Sequence, residues 1–114
     1  MGHGVSSDAR PATEAEVARV AETLRALSTP SRLRILLHLV AGPCAAGEIA
    51  TAVEMEQSAV SHQLRILRQL GLVVATRSGR SMRYRLYDDH VAQLLDEARY
   101  HVEHLRLRAA DPAS

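Results

Sequence analysis

The feature that most constrains this chain is a double change of hydrophobic period. Apolar residues recur at helical spacing from about residue 13 to 70, alternate over 72–87, and return to helical spacing from 89 onward. Thr13 and Glu16 form a capping box, and Val17, Val20, Ala21 and Leu24 then share one face, which predicts a helix over 13–26. A second helix is predicted to start at Ser28-Thr29-Pro30, with the proline in a tolerated first-turn position. Its apolar residues Leu33, Leu36, Leu37 and Val40 run toward Gly42-Pro43. It is too apolar all round to lie on a surface. A short third helix is predicted at 46–53 and a fourth at 57–70, ended by Gly71. Only Glu54, Met55 and Glu56 separate the last two, which makes them a helix-turn-helix candidate.

The stretch Leu72–Thr76 is short and β-branched, Arg77-Ser78-Gly79-Arg80 reads as a turn, and Met82, Tyr84 and Leu86 alternate with Arg83, Arg85 and Tyr87. That pattern predicts a β-hairpin, a wing beside the helical pair. Asp88 can cap a final helix over 89–107, with Val91, Leu94, Leu95, Ala98, Val102 and Leu105 along one stripe. The expected fold is mainly α with a small β-hairpin: a winged helix-turn-helix of five helices in the order ααααββα. One domain, 13–107, is expected between loose tails at 1–12 and 108–114.

A chain of 114 residues suits a single domain, and without Trp or Phe its core must come from Leu, Val, Ile and Ala. Helical domains this short often complete their core by pairing, so a homodimer is expected. No apolar run approaches the roughly 18 residues that span a bilayer, and residues 1–12 lack the apolar centre of a signal peptide, so no membrane partner and a cytoplasmic location are expected. The single cysteine, Cys44, rules out an internal disulfide and a cysteine-cluster metal site. It is expected to be a half-buried spacer.

On the fourth helix Val60, Leu64 and Leu67 have core spacing, which turns Ser58, Ser61, His62, Arg65 and Gln69 to the opposite side. Hydroxyls, an imidazole, an amide and a guanidinium all address base edges or phosphates. An ordinary solvated face would mix Glu with Lys or Arg, whereas this one has no carboxylate. All fourteen basic residues are arginine, the side chain whose fork matches phosphates and bases. Four of them, Arg77, Arg80, Arg83 and Arg85, crowd the hairpin around Gly79 with no acid between them. Alone, such a hairpin could be a charge-guarded sheet edge. Beside a recognition helix it can clamp the backbone of double-stranded DNA.

Three separated motifs occur in order: Leu27-Ser28-Thr29-Pro30-Ser31-Arg32-Leu33-Arg34-Ile35-Leu36, then Gln57-Ser58-Ala59-Val60-Ser61-His62-Gln63-Leu64, then Leu70-Gly71-Leu72-Val73. Together they resemble the ArsR/SmtB family of metal-responsive repressors over residues 14–107. The resemblance implies a homodimer on an imperfect inverted-repeat operator, with the fourth helix in the major groove. It makes Ser58, Ser61 and His62 the foremost contacts, with Gln57, Arg65, Arg77, Arg80 and Arg83 around them.

Asp88, His90, His101 and His104 all fall on the final helix. His101 and His104 are i, i+3 neighbours, but His90 lies eleven residues before His101, about 16 Å along a helix, so one helix cannot close the site. Eleven residues is close to three turns, so the imidazoles share a face. Two copies packed antiparallel about an axis near Asp96 would bring the Asp88/His90 end of one chain to the His101/His104 end of the other, giving two equivalent bridging sites. Three imidazoles and a carboxylate suit tetrahedral zinc, whereas nickel or cobalt calls for more ligands. Further donors are available at Gly2 and His3, where loss of the initiator Met leaves a free α-amine next to an imidazole.

Residues 1–5, Asp88-x-His90 and Tyr100-His101-x-Glu103-His104-Leu105 together resemble the nickel/cobalt-sensing actinobacterial branch of the family. That resemblance implies nickel or cobalt as the ion, with the extreme N-terminus completing an octahedron. Arg106 departs from the branch, standing where a further histidine is expected, so six-coordination leans on Gly2 and His3. The family's other metal site, Cys-x-Cys in the third helix, is absent, since residues 44–49 read Cys-Ala-Ala-Gly-Glu-Ile.

Two other functions compete with metal-controlled DNA binding. One is a DNA-binding regulator that depends on a protein co-regulator, with metal secondary. The other, a metallohydrolase, needs an open metal position and a general base, which the sequence does not supply beside the histidines. Removal of residues 1–3 should separate the metals, weakening nickel and cobalt while sparing zinc. Coordination spectra of the truncated protein check this, and an unchanged six-coordinate nickel spectrum would withdraw the N-terminal ligands.

Overall fold

The computed structural model describes residues 10–110. Within them the chain runs α1 (Glu14–Leu27), α2 (Pro30–Leu39), β1 (Cys44–Ala45), α3 (Ala46–Val53), α4 (Gln57–Gln69), β2 (Val73–Ser78), β3 (Ser81–Leu86) and α5 (Asp89–Ala110). The five helices and the hairpin follow the expected order, and the arrangement is a winged helix-turn-helix. Gly2 and His3 lie outside the described residues.

Local chemistry explains most boundaries. Thr13 accepts the Glu16 N–H at 3.1 Å, which starts α1, and Pro30 opens α2 where its missing N–H costs nothing. Ala45 has no side-chain oxygen with which to cap α3, but the Glu48 carboxylate reaches back to the Ala45 N–H at 2.9 Å. At the other end of α3, Glu54 adopts φ 58°, a left-handed cap that turns the chain into the three-residue link to α4.

The hairpin turn is tighter than the sequence predicts. Arg77 and Ser78 pair within the ladder, opposite Met82 and Ser81, so the turn is Gly79-Arg80 alone. Gly79 has φ 63°, which suits the first position of a two-residue hairpin turn. A second difference is β1, a strand of two residues that extends the sheet to the order β1-β3-β2, with Cys44 opposite Tyr84. Two residues carry no readable period. Cys44 is half-buried, as expected, with its sulfur 3.5 Å from His38 Nε2. The final helix continues to Ala110, past residue 107, because Leu, Arg and Ala at 105–110 are all strong helix formers.

The core is entirely aliphatic. Ile35, Leu36 and Leu39 of α2, Ile49 and Val53 of α3, and Val60, Leu64 and Leu67 of α4 meet Leu72, Val73, Leu86, Val91 and Leu95. Among the described residues of α1 only Ala26 is buried, and among those of α5 only Val91 and Leu95. Val17, Val20 and Leu24 on α1 are each about half exposed, and they line a groove of about 570 Å³. Leu94, Val102, Leu105 and Leu107 of α5 are likewise open to solvent, Val102 at 65%. No helix among the described residues is long and apolar enough to cross a membrane.

Leu64 is 1% exposed at the seat of α4. Leu64→Ala should therefore cost about 2–5 kcal/mol of folding stability. Denaturant unfolding checks this, and a loss below about 1 kcal/mol would mean that α4 is not seated on the core as described.

Candidate nucleic-acid interface and metal half-sites

Burial of Val60, Leu64 and Leu67 fixes which side of α4 faces out. Gln57, Ser58, His62, Arg65 and Gln69 are exposed and Ser61 is half-buried at the edge of the same surface. No acid lies in the first turn of α4, and the Glu56 N-cap makes no side-chain hydrogen bond to it. The leading N–H groups of α4 therefore keep their capacity for an anion such as a phosphate. Gln57 lies over the start of α3: a Cβ on Gly47 would come within 3.4 Å of Gln57 Oε1.

The four hairpin arginines divide into two kinds. Arg77 and Arg80 are exposed near the turn and form no ion pair among the described residues. Arg83 is held down. Its guanidinium donates to the Pro43 carbonyl at 2.9 Å and lies 3.7 Å from the Glu48 carboxylate, so it ties the wing to the start of α3. Arg85 turns back on its own strand end, donating to the carbonyls of Leu86 and Tyr87 at 3.2 and 3.3 Å. Arg83 stands among the expected DNA contacts because it belongs to the acid-free arginine cluster of the hairpin; its tie to Glu48, 35 residues away in the chain, is one that no local pattern shows.

On α5 the metal-ligand types occupy two ends. Asp88 caps the helix through Oδ1, which accepts the N–H groups of His90 and Val91 at 3.0 and 3.3 Å. Its other oxygen is 3.3 Å from His90 Nδ1. Desolvation acts to raise the pKa of this carboxyl. Hydrogen bonds from the His90 ring and the Val91 N–H, the charge of His90 and its N–H outweigh that and hold the pKa below the ordinary 3.8. A carboxyl with a lowered pKa stabilises the fold above its unfolded value and loses that contribution as pH falls through the lowered one.

At the far end His101 and His104 are exposed, and the Tyr100 ring stacks on His104 with centroids 6.2 Å apart. Arg106 is committed to Glu103 through a two-pronged pair at 3.0 and 2.5 Å. Among the described residues of one chain, no three ligand-type side chains come together. Each end of α5 carries two side chains of ligand type, Asp88 with His90 and His101 with His104.

A helix seated by aliphatic side chains, its acid-free outer face and a wing tipped with arginines that form no ion pair among the described residues define a winged helix-turn-helix regulator that engages DNA. The description of bacterial regulatory proteins of the arsR family matches residues 29–74. Over 114 residues the chain is 60% identical to the HTH-type transcriptional regulator NmtR of Mycobacterium tuberculosis, covering 97% of this chain and 95% of that one. The solution structure of apo-NmtR superposes with a TM-score of 0.71 over 90% of this chain and 89% of that chain. A homodimeric winged helix-turn-helix DNA-binding domain from Mycobacterium bovis is 37% identical and superposes with a TM-score of 0.75, over 80% of this chain and 85% of that one. This chain belongs to the ArsR family of bacterial regulatory proteins. Its relatives are transcriptional regulators and not enzymes.

Ser61→Ala and His62→Ala should each weaken operator binding by roughly 1–3 kcal/mol with the fold intact. Arg80→Ala should instead weaken binding to all duplexes and flatten the salt dependence. Parent-like binding by all three variants would remove the assigned face. Asp88→Asn should keep the cap, since Asn serves there as well as Asp. Its thermal midpoint should fall slightly, through loss of the charge that favours the fold, while metal affinity falls much further, and equal metal affinity would take Asp88 out of the ligand set.

Proposed function

We propose that this regulator is a homodimeric repressor that works in the cytoplasm, whose affinity for an inverted-repeat operator is lowered by nickel or cobalt held between two copies of α5. The observation that carries this reading is the coincidence of two incomplete features on one helix. α5 leaves Leu94, Val102 and Leu105 uncovered, and it carries Asp88 with His90 at one end and His101 with His104 at the other. An antiparallel second copy completes both at once. It covers the stripes on α1 and α5, and it brings the two half-sets of ligands together from different chains.

In this reading Ser58, Ser61, His62, Gln57 and Arg65 address the operator from α4, and Arg77 and Arg80 hold its backbone from the wing. Arg83 contributes through its tie to α3. Asp88, His90, His101 and His104 hold the ion, with Gly2 and His3 as the additional donors that octahedral nickel or cobalt calls for. A bound ion supplies a cross-link between chains, favouring a dimer geometry in which the two α4 helices no longer match the operator spacing. Such a coupling is commonly about 1–3 kcal/mol. Zinc is the second reading, favoured because Asp88, His90, His101 and His104 by themselves amount to one carboxylate and three imidazoles, a tetrahedral set.

A heterodimer pairing a His90→Ala chain with a His101→Ala chain tests the bridging directly. One site then draws both altered positions and the other draws neither, so one intact site per dimer is expected. A site within one chain would be damaged in both halves. Lowering the pH should weaken every metal, because an imidazole must be neutral to coordinate. Metal titrations of the mixed dimer and of the parent at two pH values check both statements.

A further inference from the structure

Among the described residues, α4 makes side-chain hydrogen bonds to another element at one place. Arg32 Nε on α2 donates to Gln63 Oε1 at 2.9 Å, and Gln63 Nε2 lies 3.5 Å from Ser31 Oγ. Arg32, Gln63 and Ser31 are all half-buried. An arginine offers only donors, so the Gln63 oxygen must face it and is committed to the protein instead of to a base. The next arginine of α2 grips the other helix of the motif: Arg34 Nη1 donates to the Val53 carbonyl at 3.1 Å, at the residue before the left-handed turn of Glu54.

The remainder of the α4 seat is Val60, Leu64 and Leu67. Burial of such side chains is strong but non-directional. An aliphatic stripe fixes which face of the helix turns inward, but it leaves small turns about the helix axis to directional contacts. The Arg32–Gln63 bond has a direction, and Gln63 follows Ser61 and His62 immediately in the chain. A rotation of α4 that broke this bond would swing the Ser61 hydroxyl and the His62 imidazole with it.

We propose that Arg32 and Gln63 form a positioning pair, in which a charge-assisted hydrogen bond from α2 sets the rotation of α4 and so the presentation of Ser61 and His62 to the operator. The pair rests on the reading of α4 as the DNA-contacting helix. α2 is also the element against which α1 packs. Its two arginines therefore place both helices of the motif relative to the α1 side of the molecule.

The test uses the full chain as Arg32→Met, Gln63→Met and the double variant, with Ser61→Ala alongside. Dissociation constants are measured on operator and on a scrambled duplex at one salt concentration, together with thermal midpoints. Each single variant should lose about tenfold in operator affinity, the scale of one charged hydrogen bond, and less than about twofold on the scrambled duplex. The double variant should lose no more than the weaker single, because both changes remove the same bond. Additive losses, or equal losses on both duplexes, would make Arg32 a phosphate contact and overturn the pair. Parent-like binding by both single variants while Ser61→Ala loses affinity would overturn the pair and leave the reading of α4 standing. If Ser61→Ala also binds like the parent, the two fall together. Should Arg32→Met fail to fold, Gln63→Met decides alone by the same comparison of duplexes.

Discussion

Helix α5 spans 22 residues, about 33 Å, and the core of its own chain receives only its first two turns, through Val91 and Leu95. The rest of the molecule follows from that shortage of interior. A core without Trp or Phe must gather many small aliphatic side chains, and α2, α3 and α4 use most of the available space. The apolar stripes of α1 and the distal part of α5 stay in water in a lone chain. Leaving that much apolar surface hydrated is unfavourable by about 25 cal/mol per Å², which gives a second copy a clear incentive to pair. In the proposed dimer the same covering of α5 unites ligands that a straight helix keeps apart. Dimer and sensor then become one structure.

DNA reading depends on a different division of labour. The inner face of α4 is aliphatic and anchors it, while its outer face is short, polar and free of acid. The wing arginines serve two purposes at once. Arg83 and Arg85 direct their forks to carbonyls and to Glu48, whereas Arg77 and Arg80 form no ion pair among the described residues and, in the proposed reading, hold the operator backbone.

Sequence periodicity revealed those parts of the fold in which one face is buried. The i, i+4, i+7 spacing of Val60, Leu64 and Leu67 located α4, and the alternation around Gly79 located the hairpin. What stayed hidden was set by pairing between distant segments. β1 is too short to show a period and exists because β3 offers it an edge. Arg83 finds Glu48, and Arg32 finds Gln63, across separations that leave no local trace. On α5 the spacing of Asp88, His90, His101 and His104 is periodic along one helix face, so the sequence shows how far apart the two pairs lie but not what, if anything, brings them together. In the sequence Arg106 shows only as a departure at an expected ligand position, and its i, i+3 pair with Glu103 comes from the structure.

The account ties operator affinity to occupancy of sites that two chains share. The direct measurement is a nickel titration of purified, tag-free protein in which metal coordination and operator affinity are followed in the same samples. The account predicts that operator release rises with occupancy and saturates at one ion per chain. Binding at that stoichiometry with operator affinity unchanged would contradict it.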